Sequence, residues 1–426
     1  MIDIDLVRRR PSDLRRALER RGEDPAVVDE LARLDDQRRG LVAEADQLRE
    51  HRNEASKAIG MVIKQGGDAD AAREDVRRLS ERLKEIEDEE RGAGEALRSL
   101  LLTVPNPPNA DVPDGKDETA NIILRQEGEP RTLDFEARAH WDLAQSLGIV
   151  DMERGAKLSG SRFYVFGEMG ARLQRALVQW MLDLHRTEHG YHEVGVPLLV
   201  RAEVMEGAGN LPKFADNLYH DGEDDLWLIP TAEVPLTGLH RDEILEPGTL
   251  PLRYMAHSPC FRREKTAGGR DTRGIKRVHQ FEKVEMYQLT APEDSAATLD
   301  ALVGHAEEVC RRLGIAHRVL QLCTGDLGFQ SAKSFDIEMW SPGSQEWLEV
   351  STCSTCGDFQ ARRASIRFRR EAGSRPEPVH TLNGSGLALP RVMIAIIENY
   401  QRPDGSVRVP DVLVPYLGQT VLEPVS

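Results

Sequence analysis

Two stretches of this sequence carry groups able to grip a polyphosphate. The first runs from Cys260 to Glu285, and its residues 262–277 hold seven basic side chains (Arg262, Arg263, Lys265, Arg270, Arg273, Lys276, Arg277) against two acidic ones, Glu264 and Asp271. Three glycines loosen the middle, and extended sequence flanks it on both sides, which reads as strand, long basic loop and returning strand. Dense arginine suits phosphate because each guanidinium can bind two oxygens at once. An exposed basic hairpin with ordinary alternation would look similar. On the returning strand, Phe281, Lys283, Glu285 and Tyr287 share one face and Val284 and Met286 the other. One face is therefore core, and the other mixes an aromatic platform with charge. The second stretch is His380-Thr381-Leu382-Asn383-Gly384-Ser385-Gly386-Leu387-Ala388-Leu389-Pro390-Arg391, followed by the apolar helix Val392–Tyr400. Pro390 suits the first turn of that helix. Arg391 then sits where a helix N-terminus already favours an anion. Gly384-Ser385-Gly386 would let backbone approach a ligand closely. A plain structural helix start explains the same residues.

The elements that must hold these groups form a mixed α+β arrangement. From about Asn121 short β-like runs and helices follow without regular alternation, among them the helix Ala171–Glu188 and the alternating stretch Val278–Leu289. A parallel doubly wound sheet is therefore disfavoured, and a mixed α+β domain is expected over 121–426. Residues 1–104 are different. Leu31, Leu34, Arg38, Leu41, Ala45, Leu48, Arg52, Ala55 and Ile59 form one heptad seam. Ala72, Val76, Leu79, Leu83, Ile86, Glu90, Ala93, Leu97 and Leu100 form a second. Gln65-Gly66-Gly67-Asp68 breaks the pattern as a tight turn, so the two helices pack antiparallel. About 39 residues from Ala26 to Lys64 would reach roughly 58 Å. Val104-Pro105-Asn106-Pro107-Pro108-Asn109 stops the second helix and opens a linker over 105–120.

The chain has 426 residues and a formal net charge of −16, which alone argues weakly against nucleic acid. Local charge differs: residues 38–84 carry eleven basic and nine acidic side chains, a net of +2. Between Arg52 and Lys64 the three basic residues Arg52, Lys57 and Lys64 stand against one acid, Glu54. The arm reads either as a solvated coiled coil for spacing or dimerisation, or as an arm tracking a phosphate backbone. No apolar run is long enough to span a bilayer, and the N-terminus lacks an apolar export signal. Five cysteines in so long a chain do not make a disulfide scaffold, and a reducing cytoplasm is expected.

Together these stretches resemble the seryl-tRNA synthetases of bacteria, a family of class II aminoacyl-tRNA synthetases. The basic hairpin is similar to motif 2 and the Gly-Ser-Gly…Arg391 segment to motif 3. Further markers are Asp114-Gly115-Lys116-Asp117-Glu118, His140-Trp141-Asp142-Leu143, Ile229-Pro230-Thr231-Ala232-Glu233-Val234-Pro235-Leu236-Thr237 and Asp358-Phe359-Gln360-Ala361-Arg362-Arg363. The resemblance implies a catalytic domain over 121–426 built on an antiparallel sheet flanked by helices, and a homodimer formed through motif 1, here the Ala171–Glu188 helix and a strand ending in Pro197. It implies that ATP and L-serine give seryl-adenylate, and that serine then passes to the 3′ end of tRNA(Ser), and of tRNA(Sec) where one is made. Carried over by position, Arg262 would hold the α-phosphate and Arg391 the triphosphate. Phe281 would stack under adenine while Glu264 and the Val278 backbone read its edge; Arg263, Val350 and Ser351 would complete the ATP site. Glu349 and Thr352 would hold Mg²⁺ through ATP; many relatives have serine where Thr352 stands, and the hydroxyl is kept. Serine would meet Thr231, Ala232, Glu233, Arg262, Glu285 and Ser385. The helical arm would grip tRNA with Arg38, Arg52, Lys57, Lys64, Arg73, Arg77 and Arg78.

Several readings compete. Lys265-Thr266-Ala267-Gly268-Gly269 departs from the small Ala-Gly-Ser-like run of relatives, at a loop that would approach the tRNA end. Cys353-Ser354-Thr355-Cys356 lacks a second pair at zinc-site spacing and reads as structural thiols. His185, His189 and His192 read as surface or interface residues. A non-catalytic RNA-binding paralogue would be expected to lose phosphate or serine contacts, yet Arg262, Glu264, Glu285, Glu349 and Arg391 are all present. A duplicate ligase serving a biosynthetic pathway or tolerating an inhibitor would keep the same site.

Overall fold

The computed structural model describes residues 1–265 and 273–425. The Thr266–Gly269 departure and Arg270 lie outside the described residues. The chain divides into two compact units, one comprising Ile2–Glu19 and Glu23–Val104, the other Met1, Arg20–Gly22 and the chain from Pro105 onward.

In the first unit the heptad seams become two long helices, Val27–Lys64 and Asp70–Leu101. The first has 38 residues, about 57 Å at the α-helical rise. Between them Gly66 takes the left-handed conformation (φ +73°), and the Asp68 carboxylate accepts the Asp70 N–H at 2.9 Å. Leu31, Leu34, Ala45, Leu83, Ile86, Ala93 and Leu97 are buried along the seam. Two of the three charges that interrupt it meet each other: Arg38 Nε lies 3.0 Å from Glu90 Oε1 across the hairpin. Arg49–Glu87 (2.8 Å) and Arg82–Glu44 (3.0 Å) add further cross-hairpin pairs. Arg73, Arg77 and Arg78 each pair with an acid three residues earlier on their own helix, Asp70, Glu74 and Asp75. Among the described residues, Arg52, Lys57 and Lys64 make no ion pair, and neither do the neighbouring acids Glu50, Glu54 and Asp68.

The second unit is built on an eight-stranded sheet. We number its strands β1 (Ile122–Glu127), β2 (His192–Glu193), β3 (Leu252–Phe261), β4 (Gln280–Thr290), β5 (His317–Gln321), β6 (Lys333–Ser341), β7 (Glu346–Gly357) and β8 (His380–Ala388). The order across the sheet is β1-β5-β6-β7-β8-β4-β3-β2, and every pairing is antiparallel except that of the short edge strand β2 with β3. The basic loop joins β3 to β4, with Gln280 opposite Phe261. Val284, Met286, Val350, Cys353 and Leu387 turn to one face, where the helices Glu168–Glu188, Ser295–Leu313 and Leu389–Asn399 complete the main core. Tyr287 and Leu289 belong to a second cluster with Ala232, Leu236 and Ala361, beneath the helices Glu233–Gly238 and Phe359–Ala364.

Two expectations are corrected. Pro197 does not end a strand: after the two-residue β2 the chain has no regular partner until Leu199–Arg201, consistent with a proline that lacks a ladder donor. His185 is not at the surface but fully buried; its Nδ1 lies 2.8 Å from His189 Nδ1, and burial holds its pKa down at about 3. His189 is half-buried and His192 exposed. Among the described residues no helix is long and apolar enough to cross a membrane.

Candidate active site

The sheet face opposite the main core forms a cavity of about 790 Å³, within the size range of small-molecule sites. At its floor Lys283, nearly fully buried, donates to Thr231 Oγ1 at 2.7 Å and lies 2.5 Å from Glu285 Oε2. Thr231 Oγ1 also donates to Glu285 Oε2 at 3.3 Å. The other oxygen, Glu285 Oε1, is buried without a partner among the described residues. Beside it lies Glu233, whose Oε1 accepts from Gln360 Nε2 at 2.6 Å and whose Oε2 accepts from Asn383 Nδ2 at 3.3 Å. Burial, followed by the charge of Glu285, raises the Glu233 carboxyl to about 7. Two carboxyl groups thus face one lysine, so the floor offers a place to a second cation.

Guanidinium groups stand further along the cavity. Arg262 donates from Nε to Pro230 O at 3.2 Å and lies over the Phe281 ring at 5.1 Å. Arg277 pairs with Glu264 at 3.0 Å, and Glu264 adopts a positive φ of 48°, a conformation that costs a non-glycine residue energy. Arg391 lies in the first turn of the Leu389–Asn399 helix. It donates to Glu349 O at 2.7 Å and pairs with Glu349 Oε1 at 3.2 Å. That guanidinium, ahead of burial, holds the Glu349 carboxyl below its usual range.

Two strand irregularities aim these groups. Glu349 and Thr352 are three apart on β7, which would place them on opposite faces of a regular strand. The register with β6 shifts between Ile337 and Glu338, so Ser351 pairs with Ile337 and Glu349 with Glu338, leaving Val350 as the extra residue. This bulge turns Glu349 and Thr352 to the same side. A second shift places Leu387 opposite Val284 and Ser385 opposite Glu285, leaving Gly386 extra. A Cβ on Gly386 would stand 2.8 Å from His185 Nε2, and one on Gly384 2.9 Å from Cys353 Sγ. These glycines therefore serve the packing beneath the strand, which corrects the expectation that they admit a ligand.

Comparison with known proteins places this geometry. Residues 1–108 match the seryl-tRNA synthetase N-terminal domain, and residues 214–400 match the tRNA synthetase class II core domain (G, H, P, S and T). A serine–tRNA ligase of Thermomicrobium roseum is 56% identical over 98% of this chain and 94% of its own length. The seryl-tRNA synthetase from Pyrococcus horikoshii, solved with ATP, is 39% identical and superposes with a TM-score of 0.93 over 100% of both chains. The cytoplasmic serine–tRNA ligase from Naegleria fowleri, solved with AMP, is 32% identical with a TM-score of 0.87, covering 100% of this chain and 99% of its own. The chain belongs to the seryl-tRNA synthetase family. Like its relatives it is an enzyme, with a class II core and a helical arm.

Of the residues expected from the family resemblance, the cavity gathers Thr231, Glu233, Arg262, Glu264, Val278 and Phe281 from the β3–β4 side. From the β7–β8 side it gathers Glu349, Val350, Ser351, Thr352, Ser385 and Arg391. Glu285 lies just beneath, bonded to Lys283 and Thr231. Ala232 and Arg263 are not among the lining residues. Ala232 is packed in the second core cluster, and Arg263 is drawn outward over the Tyr219 ring at 5.0 Å. Val350 packs into the main core, and the Ser351 hydroxyl donates to Ser385 O at 2.7 Å, stitching β7 to β8. Cys353 and Cys356 are buried thiols, and burial pushes Cys353 up to about 12.

Sequence reading missed four participants. Lys283 was placed on the right face but given no role. Gln360, fully buried, accepts from Tyr287 and Thr381 while donating to Glu233; its signal was the Asp358–Arg363 motif. Asn383 stood two residues before Ser385. Asp336 sits opposite Thr352 on β6; burial, then the charge of Glu349, raises its carboxyl well above the usual range, and its Oδ1 has no partner. Asp336, Glu349 and Thr352 make a set of hard oxygen donors with an orphaned buried oxygen, which fits Mg²⁺.

The Glu233 shift has a testable sign. A carboxyl raised by folding keeps its proton longer in the native state, so stability is lost as pH rises from the ordinary carboxylate range through about 7. Between pH 5 and pH 8 the native chain should lose on the order of 2 kcal/mol more than Glu233→Gln in urea unfolding. Parallel stability profiles would contradict the shift.

Proposed function

We propose that this chain joins L-serine to tRNA(Ser) in two steps at this cavity, consuming ATP. The observation that carries the reading is the floor: two buried carboxyl groups share one lysine, and Glu285 Oε1 waits unpartnered. An α-ammonium supplies the missing cation, placed by Glu285 and Thr231. Glu233 and Ser385 flank the serine hydroxyl, so alanine would leave these polar groups unmatched and be rejected. Arg262 and Arg391 take the phosphates, Phe281 gives adenine a stacking surface, and Glu264 with the Val278 backbone lies at the base edge.

In the first step a serine carboxylate oxygen bonds to the α-phosphorus, the bond from that phosphorus to the bridging oxygen breaks, and pyrophosphate leaves. The nucleophile is already ionised, so no side chain has to remove a proton. Arg262 and Arg391 align the reactants and oppose the negative charge that grows at phosphorus. Glu349, Thr352 and Asp336 would hold Mg²⁺, which when bound neutralises phosphate charge. In the second step a terminal ribose hydroxyl of tRNA attacks the serine carbonyl and AMP leaves.

The arm gives tRNA its grip: Arg52, Lys57 and Lys64, in no ion pair among the described residues, offer cations near the turn, while Arg38, Arg73, Arg77 and Arg78 must exchange carboxylate partners for phosphate. The same contacts would serve tRNA(Sec). Two copies assemble through the segment around Pro197, where Leu198 and Leu199 are 37% and 47% exposed. Five free, buried thiols suit a cytoplasmic protein. No observation favours the non-catalytic paralogue.

Arg391→Ala should lower serine-dependent exchange of pyrophosphate into ATP by about 10²-fold or more with an unchanged melting temperature; near-normal exchange would defeat the assignment of Arg391. Deleting residues 30–100 should leave exchange intact and abolish tRNA charging. Charging at full rate without them would reduce the arm to a spacer.

A further inference from the structure

The His140-Trp141 pair has no part in the chemistry above, yet it bears on the nucleotide end of the cavity. Glu398, on the helix that carries Arg391, is completely buried and accepts six hydrogen bonds. Its donors are the His140 N–H at 2.8 Å and His140 Nδ1 at 3.2 Å, the Gly343 and Ser344 N–H groups at 2.8 and 2.9 Å, the Ser344 hydroxyl at 2.8 Å and the Ser341 hydroxyl. Burial opposes the charge, but these donors outweigh it and hold the carboxyl below its usual range. An ionised Glu398 fixes the proton on Nδ1, so the ring cannot turn without breaking its anchor.

The far side of that ring meets the returning limb of the basic loop. Among the described residues His140 Nε2 is buried without a partner, and a Cβ on Gly274, which has φ +67°, would overlap it. The next residues reach the phosphate end directly. Ile275 enters the core, Lys276 Nζ donates to Glu346 at 2.7 Å, and Lys276 O accepts from Arg391 Nε at 3.5 Å. Arg277 then pairs with Glu264. On the other flank Arg273 lies over Trp141 at 5.8 Å, and Trp141 meets the His140 ring edge-on at 4.9 Å.

We propose that His140, anchored by Glu398, is a positioning residue for ATP: its ring is the wedge that sets the height of Gly274 and, through Lys276 and Arg277, the placement of Arg391 and Glu264. The inference rests on the ATP assignment proposed above. Beside the left-handed φ of +67°, it gives a second reason why glycine stands at 274, where the wedge leaves no room for a side chain, and it accounts for one helix carrying both Glu398 and Arg391. Ser341, Gly343 and Ser344 satisfy Glu398 without the imidazole, so the ring is needed for the limb rather than for the carboxylate.

The test is pyrophosphate exchange by the full chain and by His140→Ala, Gly274→Ala and the double variant, varying ATP and serine separately. Each single change should raise KM for ATP about tenfold and leave KM for serine within about twofold. The double variant should be less impaired than Gly274→Ala, because the added methyl occupies space the ring has vacated. Gly274→Ala keeps the His140–Glu398 pair but strains the backbone at φ +67° as well as meeting the ring, so the wedge is read from the part of its effect that the double variant relieves; no relief in a folded double variant overturns it. An unchanged KM for ATP in a well-folded Gly274→Ala, equal rises for both substrates, or strictly additive effects in the double variant would overturn the proposal. Calorimetric titration with ATP alone should show the same order of affinities. If the native chain shows no serine-dependent exchange but the titration keeps that order, the ligase reading fails and the wedge stands.

Discussion

The catalytic unit depends on an unequal charge count at one buried point. Lys283 is committed to Thr231 and Glu285, and burial together with the nearby Glu285 charge raises the cost of ionising Glu233. One lysine cannot neutralise both, and among the described residues Glu285 Oε1 is buried with no hydrogen-bond partner. A small ligand with an ammonium and a hydroxyl relieves that imbalance, whereas an apolar one leaves it in place. The surroundings serve to hold the imbalance still. Gln360 fixes Glu233 from one side and is itself fixed by Tyr287 and Thr381. The antiparallel partners β3 and β8 clamp the strand that bears Lys283 and Glu285.

Positioning within the sheet relies on departures from regularity. A perfect β7 would send Glu349 and Thr352 to opposite faces, and a perfect β8 would keep Ser385 and Leu387 on the same one. The bulges at Val350 and Gly386 undo both constraints. They also account for residues that motif matching assigned to ATP but whose side chains serve the fold. Val350 packs inward, and Ser351 ties β7 to β8.

Much of this was legible in the sequence because it is periodic or chemically dense. The arm followed from its heptads, down to the polar interruptions at Arg38 and Glu90, which meet as a pair. The arginines proposed to take the phosphates stood out by density, and the alternation on β4 separated core from cavity. Partners brought together only by long-range packing were not legible. Asp336 reaches Thr352 through strand pairing, Gln360 reaches Glu233 across more than a hundred residues, and Arg263 turns away from the cavity toward Tyr219. His185 looked like a surface histidine because its burial is set by Gly386 on a distant strand. The arm shows the same limit for charge: composition gives a small positive sum, and only the structure shows which cations are already neutralised.

The central claim is that the uneven floor selects an amino acid with a β-hydroxyl and no larger side chain. Its most direct test is ATP–pyrophosphate exchange by the purified chain with serine, alanine, threonine and cysteine in parallel. The account predicts exchange with serine and negligible exchange with the other three. Exchange with alanine as fast as with serine, or with no amino acid at all, would contradict it.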